Sequence, residues 1–104
     1  IQHKTAELVQ KGMDPHDSMH VLESATSAIR ALDSFDAKAL ESALRPLADS
    51  TGLKTGQVFG TLRVAVTGRT VAPPLFETMV VLGQERCISR MAAALRVLGS
   101  VADK

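Results

Sequence analysis

Apolar residues recur at helical spacing along most of the chain. Met19, Leu22, Ala25, Ile29 and Leu32 form a stripe that a helix would turn to one side. Asp14, Pro15 and Asp17 mark its start: a side chain able to cap, a ring suited to the first helical position, and an acid at the positive helix end. Ahead of it, Ala6, Leu8 and Val9 read as the tail of an earlier helix that stops at Gly12. A further start falls at Asp36, with Ala37, Leu40, Leu44, Leu47 and Ala48 on one side and Gly52 just past the expected end. Pro46 interrupts this run. It lacks an N–H and its ring costs about 3 kcal/mol inside an ideal helix, so a kink or a break into two short helices is expected.

Residues 55–67 carry two periods at once. Leu62, Val64 and Val66 alternate like a half-buried strand, whereas Val58, Phe59, Leu62 and Val66 keep helical spacing. No convincing partner strand exists elsewhere in the chain, so the segment reads as a helix. Gly68 to Pro74 is a loop by its glycine and its Pro-Pro pair, Leu75 to Leu82 is a short helix, and Gly83 permits a sharp corner. In the last helix Ile88, Met91, Ala92, Leu95 and Leu98 are expected to face inward, with Arg86 and Arg90 one turn apart on the surface. The whole pattern predicts an all-α, compact multi-helix fold without a sheet.

Composition supports this picture. Ala, Leu and Val supply most of the apolar content, Tyr and Trp are absent, and Phe35, Phe59 and Phe76 are the only aromatics. A length of 104 residues suits one modest core and is too short for a complete nucleotide-activating enzyme. No apolar run approaches the roughly 20 residues that span a bilayer, and the start lacks the pattern of a secretory signal. A cytoplasmic protein with no membrane contact is expected. Cys87 is the single cysteine, which excludes an internal disulfide and a cysteine-based zinc cluster within the chain.

The net charge of +1 hides an asymmetry. Residues 1–52 hold five Lys/Arg against eight Asp/Glu, a balance of −3, while residues 53–104 hold seven against three, a balance of +4. A polyanion would favour the second half, although a solvated basic face carries the same signature.

The candidate chemistry is sparse. His16 and His20 share a helical face, but no third zinc ligand stands nearby, and surface histidines are the better account. Cys87 lies beside the apolar stripe of its helix, as a buried structural thiol does. Neither a Ser/His/Asp order nor a Gly-rich phosphate loop is present, so catalysis has no support. On a helix Gly56, Gly60, Arg63 and Thr67 share one face. The glycines would admit a close backbone or a nucleic acid, with the planar Arg63 guanidinium beside them to stack on or bond a base; from pattern alone, tight helix packing is the better account of them. Pro73, Pro74 and Leu75 form an apolar corner able to support an unstacked base or to staple two helices.

The stretches LRVAVTGR, PPLFE and LGQER together resemble the C-terminal anticodon-binding domain of bacterial glutamyl-tRNA synthetases. Weaker similarity runs back through ALRPLADSTGLKTGQVF to AELVQKGMDP, so most of the chain is covered. The resemblance implies a helical module attached to a catalytic domain with HIGH-like and KMSKS-like motifs, neither of which occurs here. It implies that Arg63 contacts an anticodon base, that the Pro73, Pro74 and Leu75 corner packs against the anticodon nucleotides, and that Thr67 and Arg69 adjoin them. The expected partner is the anticodon loop of a glutamate-type tRNA, bound by a monomer. No cofactor is expected in this chain, ATP and Mg belonging to the absent catalytic domain of an ATP-dependent glutamate-tRNA ligase. On this reading residues 1–33 are a helical segment linking from a preceding anticodon-binding subdomain, and residues 34–104 are the C-terminal subdomain. Pro46 departs from the uninterrupted helix of the family. The rival from another class is a helical protein-interaction module using the Gly56/Gly60 face and the proline corner.

Overall fold

Asp14 accepts from the Asp17 backbone N–H at 2.9 Å, and Asp17 returns the bond to the Asp14 N–H at 3.1 Å. This reciprocal cap, with Pro15 at the first position, starts the long second helix where the sequence placed it. The computed structural model describes residues 3–70 and 74–102, and among them the chain forms seven α-helices and no strand. They are α1 (Thr5–Leu8), α2 (Pro15–Arg30), α3 (Ala37–Leu44), α4 (Leu47–Thr51), α5 (Thr55–Thr67), α6 (Leu75–Leu82) and α7 (Gln84–Ala102). The all-α expectation holds.

Pro46 breaks the run as its chemistry requires: α3 ends at Leu44, Pro46 sits at φ −65° and ψ −12°, and α4 begins at Leu47. The ambiguous segment is helical, and the reason for its double period is visible. Val64, Ala65 and Val66 are all buried, because α5 is enclosed by α1, α2, α4, α6 and α7 and has little solvent face near its end. A helix covered on several sides loses the amphipathic pattern that would identify it.

The main pairing is α2 on α7, with α5 laid against both. Their shared core includes Val21, Leu22, Ala25 and Ile29 of α2, Val58 and Leu62 of α5, and Met91, Ala94 and Leu98 of α7. The boundary at residues 33/34 falls in the connection between α2 and α3, whose buried residues belong to the same core. The inward stripe of α7 differs from the expected one. Cys87, Met91, Ala94 and Leu98 are buried, while Ile88, Ala92 and Leu95 are only half-buried, a rotation of the helix toward α2 and α5.

Gly60 marks the close approach of the first segment. The Gln10 side chain crosses the glycine so tightly that an added Cβ would meet its Oε1 at 2.5 Å. Gln57, one turn earlier, donates to the Lys11 carbonyl at 2.8 Å and accepts from the Lys54 N–H at 2.8 Å, fastening the start of α5 to the same segment. No described helix is long and apolar enough to cross a membrane.

Candidate nucleic-acid interface

The exit end of α5 carries the residues singled out in the sequence. The last carbonyls of a helix have no partner within it and must find one elsewhere. Here the Gly68 N–H donates to the Val64 carbonyl at 2.7 Å, with Gly68 at φ +75°, a left-handed closure that glycine adopts without strain. His3 Nε2 donates to the Ala65 carbonyl at 2.7 Å. Arg90 Nη1, from α7, donates to the Val66 carbonyl at 2.6 Å and sets a positive charge at the negative helix end.

Arg63 is half-buried on the turn just before this closure. Thr67 works on its backbone: the hydroxyl donates to the Arg63 carbonyl at 2.6 Å and accepts from the Arg69 N–H at 3.1 Å. The threonine therefore shapes the turn that delivers Arg69, which is exposed. Pro73 lies outside the described residues. Pro74 is exposed and precedes α6, but Leu75 is only 5% exposed and belongs to the core. The exposed apolar corner expected from the sequence is thus corrected. Of its two described residues, Pro74 is the surface one and Leu75 is anchored beneath it, because the first turn of α6 must bury its apolar side.

Three residues around the first half of α5 were not singled out as a site in the sequence. Phe59, one turn before Arg63, meets Phe76 edge-on, with centroids 5.4 Å apart and an interplanar angle of 84°. The Arg45 guanidinium lies 5.8 Å from the Phe59 centroid and pairs with Glu41 at 3.2 Å. The adjacency of Phe76 to Pro73-Pro74-Leu75 and of Arg45 to the helix-breaking Pro46 was the available signal. Arginine and aromatic rings so placed offer flat surfaces on which a base can stack.

The glycine face divides. Gly60 is occupied by Gln10, the packing explanation, whereas nothing lies within 4 Å of a Cβ at Gly56. His16 and His20 are exposed on α2. Cys87 is buried, its Sγ 3.5 Å from the Met79 carbonyl, and burial pushes the thiol up to about 11 despite the nearby Arg90 charge.

An enclosed helix that carries an arginine one turn after an edge-on aromatic pair offers the kinds of group that unstacked bases of a single-stranded RNA loop engage. Residues 2–95 match the family model described as anticodon binding domain, and the chain belongs to that family. It is 46% identical over 101 residues to a glutamate–tRNA ligase of Dehalococcoides mccartyi, covering 97% of this chain and 21% of that protein. It is 48% identical over 91 residues to a glutamate–tRNA ligase of Roseiflexus sp. (strain RS-1), covering 88% of this chain and 18% of that protein. Among solved structures it resembles the crystal structure of a glutamate tRNA ligase from Elizabethkingia meningosepticum in complex with its amino acid. That likeness has a TM-score of 0.71 at 28% identity and covers 86% of this chain and 19% of the other. The chain spans about a fifth of the length of these relatives. The resemblance read from LRVAVTGR, PPLFE and LGQER is borne out.

Proposed function

We propose that this chain reads the anticodon loop of a glutamate-type tRNA at the exit end of α5, as a monomeric module of an ATP-dependent glutamate-tRNA ligase. The family match over residues 2–95 carries the proposal, and the position of Arg63 one helical turn after Phe59, which meets Phe76 and Arg45, supports it. Arg63 supplies a planar guanidinium with fixed donors for a base edge, and the exposed Arg69 meets phosphate oxygens. Thr67 holds the turn between them. Pro74, with Leu75 buried beside it in the chain, supplies a surface for an unstacked nucleotide, a contact that Pro73 shares on this reading. ATP and Mg serve the ligase reaction in another part of the parent enzyme.

Binding of labelled anticodon stem-loops, glutamate-type and non-cognate, is to be titrated at two salt concentrations. The expected result is tighter binding of the glutamate-type loop, with affinity for both falling steeply as salt rises, because phosphate contacts release counterions. Equal affinity for the two loops, or binding indifferent to salt, overturns the proposal.

A further inference from the structure

We propose that Arg90 is a positioning residue, clamping the Val66 carbonyl so that the exit end of α5, and with it Arg63, is held in one direction. The base-reading part of this inference rests on the function proposed above; the clamp itself rests on geometry.

The side chains of Val64, Ala65 and Val66 in the last turn of α5 are buried, but its final carbonyls have no partner within the helix. Its closing bond is the Gly68 N–H to the Val64 carbonyl, and the residues beyond are a glycine and exposed chain. Of the two further carbonyls, Ala65 is held by His3 and Val66 by Arg90, at 2.7 and 2.6 Å. Arg90 projects from a firm base. It lies between Cys87 and Met91, both fully buried, and α7 is pinned at its start by Gln84 Nε2 donating to the Ile29 carbonyl at 2.6 Å. The bond therefore ties the end of one helix to the body of another.

The consequence for Arg63 follows from helix geometry. Residues three apart lie on adjacent turns, so a shift of the Val66 peptide is transmitted to the backbone that carries Arg63. Thr67 couples the same turn, since its hydroxyl bonds the Arg63 carbonyl. A charged donor suits this position because the bond is charge-assisted and the cation sits at the negative helix end. Arg90 is half-buried, whereas Arg86 on the preceding turn is exposed. One arginine is directed into the fold and the other is left to solvent.

The test uses the full chain as wild type, Arg90→Met and Arg90→Lys, the last keeping a cationic donor. Amide hydrogen exchange of Gly68, whose N–H closes the same turn on the Val64 carbonyl, reports in the RNA-free protein whether that turn loosens. It is expected to quicken about ten-fold in Arg90→Met and to stay near wild type in Arg90→Lys. Stem-loop binding reads the consequence. Arg90→Met should shrink the ratio of cognate to non-cognate affinity about ten-fold with the salt slope unchanged, and should add nothing to an Arg63→Ala background. Unchanged Gly68 exchange overturns the inference, as does an equal loss on both stem-loops with a salt slope lowered by about one, which marks a phosphate contact. Should wild type fail to discriminate the loops, the proposed function falls, and the exchange data still judge the clamp. Should Arg90→Met fail to fold, Arg90→Gln, whose amide is two atoms shorter, takes its place in the exchange measurement.

Discussion

Ser18 of α2 and Thr61 of α5 donate to one acceptor, the Leu8 carbonyl, at 3.0 and 2.9 Å. Both side chains are fully buried, and the shared acceptor joins the end of α1 to two larger helices. A helix of four residues cannot sustain itself, so α1 depends on this docking.

Replacing either hydroxyl, by Thr61→Val or Ser18→Ala, is expected to cost about 1 kcal/mol, because the other still satisfies the carbonyl. The double variant removes both hydroxyl donors, and its loss should exceed the sum of the singles by about 1–3 kcal/mol. Urea unfolding of the four proteins measures this. Additive losses would mean that water replaces the missing donors and that the site is not sealed.

What was legible in the sequence tracks how locally each feature is encoded. The start of α2 could be read because Asp14, Pro15 and Asp17 act on neighbouring backbone, and the break at Pro46 because one ring decides it. The inward face of α7 was misjudged by a fraction of a turn, since Ala94 rather than Ala92 is buried and only the position of α2 and α5 decides between them. Arg63 was singled out through the motif around it. Arg45 and Arg90 were not assigned a part around α5, because the first acts across space on Phe59 and the second on a carbonyl 24 residues away. Leu75 could be recognised as apolar, but its burial depends on how α6 meets the core.

Leu75 and Pro74 should separate stability from binding. Leu75→Ala removes a buried side chain and is expected to cost about 2–5 kcal/mol of stability, with RNA affinity lost only as far as the folded population falls. Pro74→Ala alters an exposed residue, so its stability change should stay within about 1 kcal/mol while stem-loop affinity drops. Thermal melting and binding, measured on both variants, test the contrast. A Pro74→Ala protein that binds as wild type removes Pro74 from the RNA surface.

Cys87 confers an alkaline limit on stability. Its folded thiol is raised from the ordinary 9.0 to about 11, by burial first, with the Arg90 charge partly opposing. Below the lower value the thiol is protonated in both states and the folded chain keeps the full benefit. Between the two values the unfolded chain ionises while the folded chain does not, so stability falls as pH rises, by roughly 2 kcal/mol across that window. Unfolding midpoints from pH 8 upward, for wild type and Cys87→Ala, should diverge in slope. Parallel curves would show that the thiol ionises equally in both states.

Arg63 and Arg96 should fail in different ways. Arg63 is half-buried on the turn before the closure of α5, its carbonyl held by Thr67 and its position one turn after Phe59, whereas Arg96 is exposed on α7. A side chain that reads a base loses about 1–3 kcal/mol of affinity on truncation and relaxes discrimination; one that meets phosphate weakens all sequences alike and lowers the salt slope by about one. Arg63→Ala is therefore expected to narrow the gap between glutamate-type and non-cognate stem-loops. Arg96→Ala should leave that gap unchanged. Affinity for both loops at two salt concentrations decides the matter, with melting temperatures confirming that each variant is folded. If Arg63→Ala weakens the two loops equally and flattens the salt slope, Arg63 contributes charge alone, and the base contact must come from Arg45 or the proline corner instead.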